Sequence, residues 1–253
     1  MTLTTPLSLA AGAALLLSAA AGADPFPTRR GSHASEINTS SGFALRFGIS
    51  VPKRVRKAQG LPLVLALHFG FDRSRPFPEH YGKSFMDAVI APGLEDLEAV
   101  ILAPDSHGRA WSDPEISAAV LELVEAAAEA YPIDRSRLVV TGYSMGGSGT
   151  WHFAAEAPEL WSAALPIAAR VDEDRLEGVR GVPVRALHSP DDELIPIAQA
   201  REAIRRLRAR GEDAELVEAE GGITHFESPR FAPLLRASIP WLEERWRRQE
   251  RSP

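Results

Sequence analysis

Cysteine is absent from the 253 residues, which excludes disulfides, thiolate metal sites, a thiol nucleophile and a lipid-modified cysteine anchor. Metal-binding signatures are missing too: there is no His-Glu-x-x-His run and no carboxylate-rich loop of cation-binding pattern, so neither metal nor cofactor is expected. Positive charge is short, with 28 Lys and Arg against 34 Asp and Glu and a net charge of −6. Neutralising phosphates requires a clustered excess of Lys and Arg, so nucleic acid is not an expected partner. The basic stretches Arg201 to Arg210 and Arg245 to Arg251 are interleaved with acids and read as solvated helix faces. No internal repeat is present. No apolar run reaches the roughly 20 residues that a membrane-spanning helix needs, and no stable membrane anchor is expected.

The longest apolar run, Leu7 to Ala21, ends in Ala21-Gly22-Ala23, a small-x-small pattern of the kind cleaved after export. No Lys or Arg precedes Arg29, so the positive start of such a leader rests on the terminal amine alone. The expectation is a signal peptide over 1–23, cleavage after Ala23, a secreted or periplasmic product, and one domain over 24–253. Hydrophobic residues at 45% and charged residues at 25% are those of an ordinary globular domain.

Strand signals recur at Ala34–Thr39, Phe43–Val51, Leu61–His68, Ala99–Pro104, Leu138–Gly142, Ala163–Ala168, Val182–His188 and Ala214–Ala219, each apolar or alternating and bounded by turn residues. From Leu61 onward most are separated by helical stretches, which predicts a largely parallel sheet covered on both faces, with an antiparallel pair at its start. Asp113-Pro114 offers a cap and first-turn proline to a helix with Ile116, Val120, Leu123, Val124 and Ala127 on one face. Further helices are expected around Ser84 to Ile90, from Pro196 to Arg210, and from Pro229 onward, the last kinked or broken at Pro233 and Pro240.

Within this frame stands Gly142-Tyr143-Ser144-Met145-Gly146, after the apolar Leu138-Val139-Val140-Thr141 and before a helical segment. A serine on a tight strand-to-helix turn is lifted clear of the sheet, and glycines two positions either side let strand and helix approach. The helix N-terminus then offers unpaired N–H groups to a developing oxyanion. A serine hydroxyl needs a base, and the base needs a carboxylate to fix its tautomer. Both are available downstream: strand Val182–His188 runs into the acidic loop Asp191-Asp192-Glu193, and strand Ala214–Ala219 runs into a loop carrying His225. In an open parallel sheet these loops share one rim with the serine turn. Ser144 is the expected nucleophile and His225 the base, in the chain order Ser, Asp, His of the α/β-hydrolase architecture.

The run Tyr131 to Trp151, together with Ala155 to Pro166, Asp105 to Trp111 and the acid and histidine loops, resembles secreted carboxylesterases of the α/β-hydrolase superfamily. The nearest groups are polyhydroxybutyrate depolymerases, feruloyl esterases and phospholipase/carboxylesterases. The resemblance covers about Leu61 to the C-terminus. It implies an α/β-hydrolase fold of about eight mostly parallel strands with helices on both faces and no large cap. It also implies hydrolysis of a small-molecule or polymeric ester through an acyl-enzyme.

The acid implied is the aspartate of Asp-x-x-(Val/Ile)-Pro, here Asp192 with Ile195 and Pro196; Asp191 is the alternative. The implied oxyanion donors are the N–H of Met145 and one from the loop after Leu61–His68. Relatives carry His-Gly-x-Gly there, whereas this chain has His68-Phe69-Gly70-Phe71, leaving Gly70 as the second donor. Phe69 and Trp111 are the expected substrate contacts, with core packing the alternative for Trp111. His68, His107, His152 and His188 are expected to be structural or to stand behind the site. Two rival readings share the motif: a peptidase of the prolyl-oligopeptidase kind, although no propeller-blade repeat is present, and a hydrolase-fold protein that only binds.

Overall fold

The computed structural model describes residues 24–53, 60–72 and 74–251; the expected leader lies outside them. The described chain forms an eight-stranded sheet of order β1-β2-β4-β3-β5-β6-β7-β8. The strands are β1 (Gly31–Asn38), β2 (Ala44–Val51), β3 (Leu61–Leu67), β4 (Val100–Pro104), β5 (Ile133–Tyr143), β6 (Ala163–Ile167), β7 (Val184–His188) and β8 (Ala214–Glu218). β2 is antiparallel to both β1 and β4, and every pair from β4 to β8 is parallel. The expected sheet, with its antiparallel start, is the one observed.

Period-two alternation divides the core. In β3, Leu61, Leu63, Leu65 and Leu67 face one cluster and Val64 and Ala66 the other; in β5, Leu138 and Val140 oppose Val139 and Tyr143. The first cluster is closed by α3 (Pro114–Ala130), α4 (Met145–Glu156) and α5 (Ala198–Ala209). The second is closed by α6 (Ala232–Arg251) and a run made of α1 (Tyr81–Phe85), a π-helical turn (Met86–Ile90) and α2 (Ala91–Gly93). Strands buried on both faces read as nearly continuous apolar runs for this reason. Among the described residues no separate cap forms over Ser144.

The Asp113 carboxylate caps α3 by accepting the N–H groups of Glu115 and Ile116, ahead of Pro114. Apart from shifts of one to three residues at other ends, three elements differ from expectation. β5 begins at Ile133 rather than Leu138, because polar Asp134 to Arg137 form an outer strand end that apolar patterning cannot reveal. The run around Ser84 to Ile90 extends over both flanks. α6 follows a 3-10 turn (Ser228–Phe231) and passes through Pro240 unbroken. Pro233 occupies the first turn, where no helical N–H bond is needed, and the buried face of Leu235, Ile239, Leu242 and Trp246 holds the helix across Pro240.

Candidate active site

The chain leaves β3 toward one edge of the sheet, through β4, and leaves β4 toward the other, through β5. Loops after β3 and β5 therefore diverge at the C-terminal rim, the place where an open parallel sheet leaves a crevice. Ser144 sits there, between β5 and α4, at φ 53° and ψ −113°, a region that non-glycine residues avoid. Its N–H donates to the Ile167 carbonyl at 2.9 Å, pinning the turn to β6. The neighbouring glycines are required by space. A methyl group at Gly146 would stand 1.9 Å from the Leu67 carbonyl oxygen, and one at Gly142 would stand 2.4 Å from the Gly146 carbonyl oxygen.

His225, on the loop after β8, reaches Ser144 Oγ with Nε2 at 2.8 Å. Its Nδ1 lies 2.8 Å from Asp192 Oδ2. The carboxylate fixes the proton on Nδ1, which leaves the Nε2 lone pair to accept the serine hydroxyl. Asp192 is buried at the mouth of β7, and its Oδ1 accepts the N–H groups of Leu194 at 3.0 Å and Ile195 at 2.7 Å. These donors compensate the burial of the charge. Asp191 is exposed and makes no contact with the ring.

Three further residues brace this chain. The Tyr143 hydroxyl donates to the His225 carbonyl at 2.8 Å, while Glu193 accepts the His225 N–H at 2.9 Å. Burial, reinforced by the nearby Asp192, Glu193 and Glu227 carboxylates, raises the Tyr143 phenol well above its ordinary range and keeps it a neutral donor. His188 contacts the Ile195 carbonyl at 2.8 Å and approaches Asp192 Oδ2 at 3.4 Å. Burial pulls its pKa down, so it stays neutral and orders the acid loop.

Across from the serine turn, a methyl group added at Gly70 would stand 4.0 Å from the Met145 Cβ, so Gly70 and the first residue of α4 border the same space. Neither Phe69 nor Gly70 has a positive φ, and Phe69 therefore replaces the usual glycine without backbone strain. Its ring packs edge-on against Tyr81, Phe85 and Tyr143. The Tyr81 hydroxyl donates to the Gly70 carbonyl at 3.0 Å. Beneath the loop, buried His68 accepts the Ser106 N–H on Nε2 at 3.0 Å, so its proton is on Nδ1, which donates to the Phe69 carbonyl at 2.7 Å. Desolvation lowers its pKa to about 4 against the favourable Phe69 carbonyl. His68 is thus a neutral tie between the β3 and β4 loops.

A second serine–histidine pair has different chemistry. Ser117 Oγ lies 2.9 Å from His152 Nε2, but His152 Nδ1 faces Arg175 Nη1 at 2.6 Å rather than a carboxylate. The guanidinium can only donate, and with burial it lowers the His152 pKa. Glu156 favours the charged ring, but desolvation and Arg175 outweigh it, and no carboxylate is hydrogen-bonded to the imidazole as Asp192 is to His225.

Two cavities lie at the serine turn, one lined by Ser144 itself and the other by Met145 and Ser148 beyond it. One, of about 420 Å³, is lined by Phe69, Phe71, Tyr81, Tyr143, Leu194, His225 and Phe226, with Phe226 78% and Leu194 47% exposed at its mouth. The other, of about 280 Å³, is lined by Trp111, Met145, Ser148, His152, Arg170 and Arg175 among others. Trp111 is otherwise core: it is buried, donates Nε1–H to the His68 carbonyl at 3.1 Å, and packs so closely on Gly149 that a methyl group there would lie 2.7 Å from its ring. A larger cavity, about 650 Å³, lies beside β1, β2 and α2 and contains none of these residues.

No family model matches the sequence. Cutinase 2 of Thermobifida cellulosilytica is 31% identical over 153 residues, which are 58% of this chain and 55% of that protein; the chain spans about half the length of the curated relatives it matches. A thermostable esterase superposes with a TM-score of 0.67 at 26% identity, covering 84% of this chain and 62% of that one. A fluorophosphonate-binding serine hydrolase of Staphylococcus aureus superposes with a TM-score of 0.65 at 15% identity, covering 83% and 97%. With the sheet order and the serine turn, these likenesses show the α/β-hydrolase fold.

Proposed function

We propose that this α/β-hydrolase-fold protein is a serine hydrolase of carboxylic esters, with Ser144 as nucleophile, His225 as general base and acid, and Asp192 as the carboxylate that orients the imidazole. The observation that carries the reading is the unbroken chain Ser144 Oγ, His225 Nε2, His225 Nδ1, Asp192 Oδ2, with both links at 2.8 Å. Ser144 Oγ attacks the ester carbonyl as its proton passes to His225 Nε2, and the oxyanion forms against the Met145 and Gly70 amides. Collapse expels the alcohol, which takes the proton from Nε2, and leaves an acyl-serine. Water then adds to the acyl carbon, giving a proton to His225; the acid departs as that proton returns to Ser144 Oγ.

Phe69 and Trp111 border the two cavities and serve as apolar walls. Export with removal of residues 1–23 belongs to the same reading and rests on the sequence; sequencing the N-terminus of the protein made in its own host should return Asp24. For catalysis, Ser144→Ala should abolish turnover of a short-chain ester and labelling by a fluorophosphonate, with an unchanged circular dichroism spectrum. Wild-type protein that neither hydrolyses esters nor takes the label would support the binding-only alternative, and preferential cleavage of an acylated peptide would support the peptidase.

A further inference from the structure

The two cavities at the serine turn differ in chemistry, and on the ester-hydrolase reading, which this inference rests on, they take different halves of the substrate. The leaving oxygen must take its proton from His225 Nε2, so the alcohol half lies on the side of the 420 Å³ cavity, whose wall includes His225. The 280 Å³ cavity does not include His225 and meets the reacting centre at Met145. A group there extends from the carbonyl carbon away from the leaving oxygen and is the acyl part.

That acyl cavity carries an unbalanced positive charge. Arg175 is committed, with Nε 3.2 Å from Asp172 Oδ2 and Nη1 on His152. Asp172 is the one carboxylate in the described lining and is spent on Arg175 and on the Asp174 N–H. Arg170 is exposed, and among the described residues no ion pair or side-chain hydrogen bond engages its guanidinium. Its backbone is nonetheless fixed. Ala168, the residue after β6, turns the chain at φ 47°, and the Arg170 carbonyl accepts the Ser148 hydroxyl at 3.0 Å. Ser148 is about one helical turn from Ser144, about 6 Å along the axis. A guanidinium is thus tethered near the nucleophile, free to make the two-pronged contact that a carboxylate fits.

We propose that Arg170 binds a carboxylate at the far end of the acyl chain, so that half-esters of short dicarboxylic acids are preferred to neutral esters of the same shape. The test compares kcat/KM for monoethyl glutarate and for ethyl 5-methylhexanoate, in which an isopropyl end replaces the carboxylate, for wild type, Arg170→Ala, Arg170→Lys and Arg170→Glu. The wild-type ratio should favour the half-ester, fall roughly three- to tenfold in Arg170→Ala, fall further in Arg170→Glu and be partly kept in Arg170→Lys. Turnover of the neutral ester should be unchanged in all three variants. A ratio that does not respond to Arg170, or a parallel loss on both substrates, overturns the carboxylate site while leaving ester hydrolysis standing. Absence of turnover on both esters by wild-type protein would remove the hydrolase reading, and this one with it.

Discussion

His68 makes a quantitative prediction because its protonation is forbidden by its surroundings. Its Nε2 is occupied by the Ser106 N–H and its Nδ1–H by the Phe69 carbonyl. Desolvation brings its folded pKa to about 4 from an ordinary 6.5. Above pH 6.5 the ring is neutral in both folded and unfolded chains, and its contribution to stability is complete. As pH falls below 6.5 the unfolded chain takes up a proton that the folded chain refuses, and stability is lost until about pH 4. The separation of about 2.5 units at roughly 1.4 kcal/mol each amounts to about 3 kcal/mol, of which about 2 kcal/mol falls between pH 7 and pH 5. His68→Gln keeps an acceptor for Ser106 and cannot titrate. Urea unfolding at pH 7, 6 and 5 should therefore show wild type losing about 2 kcal/mol more than the variant over that span. The difference in slope removes any constant cost of the substitution and the shared titration of His107, His152 and His188. Parallel slopes would refute the neutral-tie account of His68.

Asp192→Asn should lower kcat on the order of a thousandfold or more, because an amide can stabilise the wrong tautomer of His225 and cannot steady its charge; Asp191→Asn, exposed and off the ring, should change kcat less than about twofold. Comparable losses in both would show that the acid is not assigned by this geometry. Gly146→Ala should destabilise the fold by roughly 3 kcal/mol and lower the Tm on the order of 10 °C, since its methyl would enter the Leu67 carbonyl oxygen at 1.9 Å and meets only Leu67 and His68 backbone, which cannot swing aside as a side chain can. Gly70→Ala meets nothing nearer than 4.0 Å and has no positive φ, so its Tm should match wild type; calorimetry of the pair checks both.

How much of the structure is legible in the sequence depends on the kind of contact involved. β3, β4, β6 and β7 are legible because each is a short, mainly apolar run, buried on both faces and punctuated by turn residues. Once the sheet is parallel, every loop leaving a strand's C-terminal end falls on one rim, so Ser144, the acid loop and His225 can be gathered there without knowing a single distance. The choice between Asp191 and Asp192 needs the resemblance, since one residue of slip in a loop changes which carboxylate turns inward. The outer half of β5 is hidden because Asp134 to Arg137 carry no apolar period, and the continuity of α6 because tertiary packing outweighs the penalty of Pro240.

The braces of the histidine loop are invisible for a different reason. Tyr143 OH reaches a backbone carbonyl 82 residues away and Glu193 a backbone N–H 32 residues away, and any residue can present those backbone groups. Such contacts leave no side-chain pair in the sequence to notice. The partner's identity is free, so only the register between β5 and the loop after β8 determines whether the hydroxyl arrives. Tyr143 is immediately before the nucleophile, however, and the strand's alternation turns it to the face opposite Val140. The serine turn and the brace on the base are therefore set by the same strand end, and a shift of β5 that moved one would move the other.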